Sequence, residues 1–103
     1  MDTQRKKGIL EICVLAALQR EPSYGYRIVS SISPYMEVSE STLYPILRRL
    51  ETGGCVSTFS QEHSGRLRKY YRLEPPGMEK IRQFLDEADE MRRIYQYIEE
   101  ESR

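Results

Sequence analysis

From Ile9 to Leu18 the chain reads ILEICVLAAL, and Glu11 is the sole polar residue in that run. Read as a helix, the run is apolar on every side, and such a helix must be covered on every side. A chain of 103 residues forms one domain at most and buries only a modest core. It is hard for one such chain to surround this helix, so the segment implies contact with a second subunit. The helix is expected over Gln4–Gln19. The basic start at Arg5, Lys6 and Lys7, followed by this run, superficially resembles a signal peptide. Glu11 breaks the run, however, and the polar stretch Gln19–Ser23 offers no small-residue cleavage site. A membrane-spanning helix needs about 18 consecutive apolar residues or more, and no run approaches that. We therefore expect a cytoplasmic chain without a membrane partner.

Cys13 and Cys55 are far apart and form no CxxC pair. Both are expected to be reduced thiols packed as small hydrophobes. With His63 as its one histidine, the chain lacks the ligand set of a zinc site. It also lacks the grouped ionisable side chains of an acid–base site. No enzymatic activity, cofactor or metal is expected. The net charge is zero, but residues 1–72 hold 11 Lys and Arg against 7 Asp and Glu, whereas residues 73–103 hold 5 against 9. A basic body is thus joined to an acidic tail.

After the break at Glu21–Ser23, with Ser23 as a candidate cap, a second helix spans Tyr24–Ile32. Gly25, Ile28, Val29 and Ile32 share its inner side; Tyr24 and Arg27 lie off it. Ser33-Pro34 ends it. A third helix runs from Ser39 to Glu51. Ser39 is its N-cap, Val38 and Leu43 form a hydrophobic staple, and Leu43, Ile46, Leu47 and Leu50 point inward. Pro45 points outward, which a helix tolerates if its regular part begins late, near Ser41. Gly53-Gly54 stops the helix. Two strand-like runs, Cys55–Gln61 and Arg68–Leu73, flank a Ser64-Gly65 turn and form a hairpin. Pro75 and Pro76 then open a long last helix. Ile81, Phe84, Ala88, Met91, Tyr95 and Ile98 recur on it at spacings of 3 and 4, which is a heptad seam.

The order implies a mainly α fold with a small β-hairpin: a winged helix-turn-helix at 1–73 and a dimerisation helix at 74–103. A recognition helix of this kind enters the major groove N-terminus first. Ser39, Ser41, Thr42 and Tyr44 are then offered to base edges and phosphates. Arg48 and Arg49 reach the flanking backbone, and Arg66, Arg68 and Lys69 bring the wing to phosphates. Lys6 and Lys7 add backbone contacts, and Tyr24 completes the candidate DNA-binding set. Two copies joined through the seam (Ile81, Phe84, Ala88, Met91, Tyr95, Ile98) would also cover Ile9, Ile12, Cys13 and Ala16 of the first helix. Such a two-fold dimer presents its helices to half-sites about one helical turn, ~34 Å, apart. A homodimer on a palindromic double-stranded operator is expected.

GILEICVLAALQREPSYGYRI, SESTLYPILRRLETGG and RKYYRLEPPG resemble the PadR family of bacterial transcriptional regulators, from about Gly8 to Gly77. The resemblance implies a winged helix-turn-helix homodimer that represses promoters. It implies that the C-terminal helix packs on the partner's first helix, as in the smaller subgroup with a single terminal helix. Some members of that subgroup sense aromatic or multidrug compounds at the dimer interface, stacking them on a Trp. This chain has no Trp; Met91 and Tyr95 are the nearest candidates for such an effector. Glu74 stands where the family often places a capping Thr. A second reading of the same elements is an adaptor, whose winged domain binds protein and not DNA.

Overall fold

Four helices and one small sheet appear in the expected order, with one strand added. The computed structural model describes residues 1–103 as α1 (Thr3–Ala16), β1 (Ser23–Tyr24), α2 (Gly25–Ile32), α3 (Glu40–Thr52), β2 (Val56–His63), β3 (Arg66–Leu73) and α4 (Pro75–Glu101). α1 is capped by the Asp2 carboxylate, which accepts from the Arg5 N–H at 2.8 Å. It stops three residues before Gln19, because the Leu18 and Gln19 N–H groups bond the carbonyls of Leu15 and Ala16. Such i to i−3 bonds tighten and end a last turn.

The second helix starts at Gly25 and not at Tyr24. Ser23 and Tyr24 are extended and pair antiparallel with Tyr71 and Tyr70, giving a three-stranded sheet of order β1-β3-β2. Ser23 is therefore no cap: it is buried, and its Oγ accepts from Arg27 Nε at 2.9 Å. A Cβ on Gly25 would lie 2.7 Å from the Tyr44 hydroxyl, so the glycine permits the close approach of α2 to α3.

α3 begins at Glu40, capped by Ser39, whose Oγ accepts from the Thr42 N–H at 3.3 Å. It does not start late near Ser41, so Pro45 lies in its interior and deprives the Ser41 carbonyl of a partner. Ser41 and Pro45 are both exposed, and the helix continues through the proline to Thr52. At its far end the Cys55 N–H bonds the Leu50 carbonyl and the Gly54 N–H bonds that of Glu51. With Gly54 at φ +75°, this is a Schellman cap. The hairpin is longer than expected, because its two-residue loop has positive φ at both Ser64 (54°) and Gly65 (76°). That is the backbone of a type I′ turn, whose twist matches the strands and lets pairing reach the loop. Pairs run unbroken from Val56–Leu73 to His63–Arg66.

The core joins Leu10, Val14, Leu15 and Leu18 of the first helical segment to Ile28, Ile32, Leu43, Leu47, Leu50, Val56, Tyr71 and Leu73. α4 runs antiparallel to α1: Arg5 meets Tyr95, Glu11 meets Lys80, and Leu15 approaches Gly77. Glu74 is the N-cap of α4 but makes no capping bond; its carboxylate accepts from Ser57 Oγ at 2.5 Å. The radius of gyration is 16.0 Å and the longest extent 58 Å, against about 13 Å for the radius of a compact chain of this size. The excess is α4, which is exposed throughout from Asp89 onward. The chain covers α1 only in part: Ile9, Ile12, Cys13 and Ala17 are half-buried and Ala16 is exposed.

Candidate nucleic-acid interface

The outer side of α3 presents Glu40, Ser41, Thr42, Tyr44, Pro45 and Arg48, all exposed. The first-turn hydroxyls form a small array. Ser39 Oγ lies 3.0 Å from Ser41 Oγ and 3.1 Å from Thr42 Oγ1, so the cap that starts the helix also orients its two neighbours. Lys6 and Lys7 border a hollow shared with Ser39 and Thr42, which brings the N-terminus of α1 beside that of α3. On the wing, Arg66 is exposed next to the loop. Lys69 bonds Glu51 across to α3, Nζ to Oε1 at 3.7 Å, and lies over the Tyr71 ring.

Arg68 and Tyr24 have different surroundings from those expected of free DNA contacts. Strand alternation puts Arg68, Tyr70 and Arg72 on one side of β3 and Lys69, Tyr71 and Leu73 on the other. Tyr24, on the neighbouring strand, stacks with that first side. Its ring centroid is 5.3 Å from Tyr70 and 5.2 Å from His63. The Arg68 guanidinium lies 4.8 Å above it and that of Arg27 5.1 Å. Tyr24 is thus a half-buried platform that holds cations by their attraction to its ring face. Arg68 Nε is buried without a partner.

Arg49 is committed inside the chain. Its guanidinium bonds Glu11 Oε2 at 3.2 Å, while Lys80 Nζ bonds Glu11 Oε1 at 2.9 Å. One carboxylate, with a side chain 19 % exposed, thereby ties α3 to α1 and α4. Sequence reasoning missed Glu11 because its partners lie 38 and 69 positions away. Burial pushes the Glu11 carboxyl up, but hydrogen bonds from Lys80 and Arg49 and their charges overcome this and hold it below the usual range. A carboxylate depressed in the folded state stabilises above its unfolded value, about 4.3, and loses that contribution as pH falls through the folded value. We expect Glu11→Gln to lower the melting temperature at pH 7, with the difference from wild type shrinking as pH falls below the unfolded value. A difference that stays constant across that fall in pH would reject the assignment.

Between α1 and α4 lies a groove of about 520 Å³ bordered by Ile9, Ile12, Phe84, Ala88, Met91 and Tyr95, with Arg5 and Lys80 among its polar margins. Ile81, Phe84 and Ala88 are half-buried within the chain; Met91, Tyr95 and Ile98 are 37 %, 46 % and 51 % exposed. Of the other expected interface residues, Cys13 turns to the opposite side, its Sγ 3.9 Å from Met36 Sδ. Ala16 opens on a separate hollow near Arg20 and Arg27.

A tight helix pair backed by a three-stranded antiparallel wing and trailed by a long helix makes this a winged helix-turn-helix protein. Residues 14–83, well over half of the chain, match the Transcriptional regulator PadR-like family. The chain therefore belongs to that family, whose members are transcriptional regulators and not enzymes. Among solved structures, smu.1704 from Streptococcus mutans UA159 is 38 % identical, over 91 % of this chain and 89 % of that one, with a TM-score of 0.82. A PadR-like transcriptional regulator from Bacillus cereus strain ATCC 14579 is 27 % identical, over 93 % and 96 %, with a TM-score of 0.82. Bacillus subtilis PadR in complex with operator DNA shares the fold at 22 % identity and a TM-score of 0.67, over 75 % of this chain and 46 % of that one. No curated protein matches significantly.

Proposed function

We propose that the chain works as a homodimeric repressor that reads a palindromic operator. In this reading residues 1–73 bind DNA, and α4 joins two copies. A small aromatic or hydrophobic effector relieves repression from the α1–α4 groove, beside Met91 and Tyr95. The observation that carries the DNA partner is the set of exposed, unpaired cations at the start of α1, on the outer side of α3 and at the wing loop. Lys6, Lys7, Arg48 and Arg66 are exposed and have no carboxylate partner, whereas Arg82 and Arg92 of the acidic α4 and Arg103 just beyond it are paired, and Arg93 alone on that helix is not. Unpaired cations beside a helix N-terminus favour phosphates. The fold neighbour solved on operator DNA supports the same partner. Ser41, Thr42 and Tyr44 are the base-side contacts, with Lys69 and Arg68 as wing contacts. Arg68 acts from its seat on Tyr24, and Arg49 has no direct role.

Salt titration of binding to the DNA upstream of the gene tests this. Log affinity should fall linearly with log salt, by about 0.9 per phosphate engaged. Arg66→Ala removes one such contact from each protomer, so it should weaken binding to all sequences and flatten the slope by about 2. Affinity for duplex that is absent, or indifferent to salt, would favour the adaptor reading.

A further inference from the structure

Glu40 is an anion on the first turn of α3, among the hydroxyls of Ser39, Ser41 and Thr42; the nearest other anion in sequence, Glu37, lies before the helix in the hollow beside Lys6 and Lys7. Glu40 occupies the first position of α3, directly after the Ser39 cap. It is exposed and bonds none of the surrounding cations, although Arg68 and Lys69 share a hollow with it. Lys69 turns to Glu51 and Arg68 to Tyr24. One turn along, Tyr44 sits beneath it at the i, i+4 position. The Tyr44 ring lies close over Gly25, where only the absence of a Cβ leaves room for its hydroxyl. Burial, followed by the charges of Glu40 and Tyr71, raises the Tyr44 phenol above its ordinary value, so the hydroxyl keeps its proton and remains a donor.

A carboxylate that only faced phosphates would weaken a DNA-binding surface. It is useful there if it meets a base donor. In the major groove an acidic side chain accepts from the exocyclic N4 amine of cytosine, whereas an amide in its place pairs with adenine N6 and N7. We propose that Glu40, one turn from Tyr44 on the outer side of α3, is a specificity-determining residue that selects cytosine at one position of each operator half-site. This rests on the DNA-binding reading above and adds which base the protein demands.

Selection of binders from a half-randomised duplex library, for wild type, Glu40→Gln and Glu40→Ala, tests it. Glu40 is exposed and buries nothing, so both variants fold, as circular dichroism will verify. Wild type should select C at one position per half-site by about tenfold or more, the discrimination of a good base contact. Glu40→Gln should move that preference to A. Glu40→Ala should erase it and bind random duplex more tightly, since one repelling charge per protomer is gone. Unchanged base preferences at every position in both variants would overturn the proposal while leaving DNA binding intact. A wild type that selects no sequence would overturn the operator-reading proposal above, and this proposal with it.

Discussion

Ile98→Asp should run as a monomer in analytical ultracentrifugation and lose about 10²–10⁴-fold in operator affinity, the gain that linking two binding modules confers. Ile98 lies on the seam of α4, 51 % exposed, where the chain itself offers nothing to cover it. An aspartate at that position is solvated in a single chain, so the fold should be untouched. In the proposed dimer it becomes a buried, unpaired charge, which is expensive. Phe84→Asp is the contrasting case. Phe84 is half-buried in the groove against α1 of its own chain, so that variant should lower the melting temperature as well as the association constant. A dimeric Ile98→Asp protein with wild-type affinity would reject the seam as the interface.

The second large effect is on stability. Gly77 lies in the first turn of α4, and a Cβ there would sit 2.5 Å from the Cys55 carbonyl oxygen and 2.6 Å from Leu73 Cδ1. That carbonyl is held, because it accepts from the Glu74 N–H at 2.9 Å. Helix propensity alone would make Gly77→Ala stabilising by about 1 kcal/mol. The clash is with backbone, which no rotamer change relieves, and overpacking of this kind costs about 1–3 kcal/mol or more. The clash should win. We expect the melting temperature to fall by several degrees and by up to roughly 15 °C, from a net cost of up to about 2 kcal/mol at about 4–8 °C per kcal/mol for a domain near this size. An unchanged or higher melting temperature would mean that α4 can shift away from the hairpin at little expense. The rigid seat of α4 on the reading domain would then be lost.

Much of the architecture was legible from local rules. The cap at Ser39, the staple of Val38 and Leu43 and the glycine pair at 53–54 bracket α3 to within a residue. The Ser64-Gly65 turn marks the hairpin, and Pro75-Pro76 marks the start of α4. These signals act over a few residues, so they survive without knowledge of the rest. β1 was not legible. A strand of two residues has no period, and Ser23 has the side chain of a cap as much as that of a strand. The same limit applies to the candidate site. Exposed and engaged arginines look alike in one dimension. Arg48 and Arg49 are neighbours, yet one is free and the other is bound to Glu11. Arg68 and Arg66 differ by two positions, yet the first is seated on Tyr24.

The sequence alone determined the order of elements, the inward stripe of each helix, the separation of basic body from acidic tail, and the excess of apolar surface on the first and last helices. Each follows from periodicity, composition or a cap of short range. Tertiary structure decided which charges remain available, that one half-buried carboxylate links α3 to α1 and α4, and that an acidic residue stands on the reading side of α3. Those outcomes depend on side chains from distant segments meeting in space, and a linear pattern carries no record of where a fold brings them together.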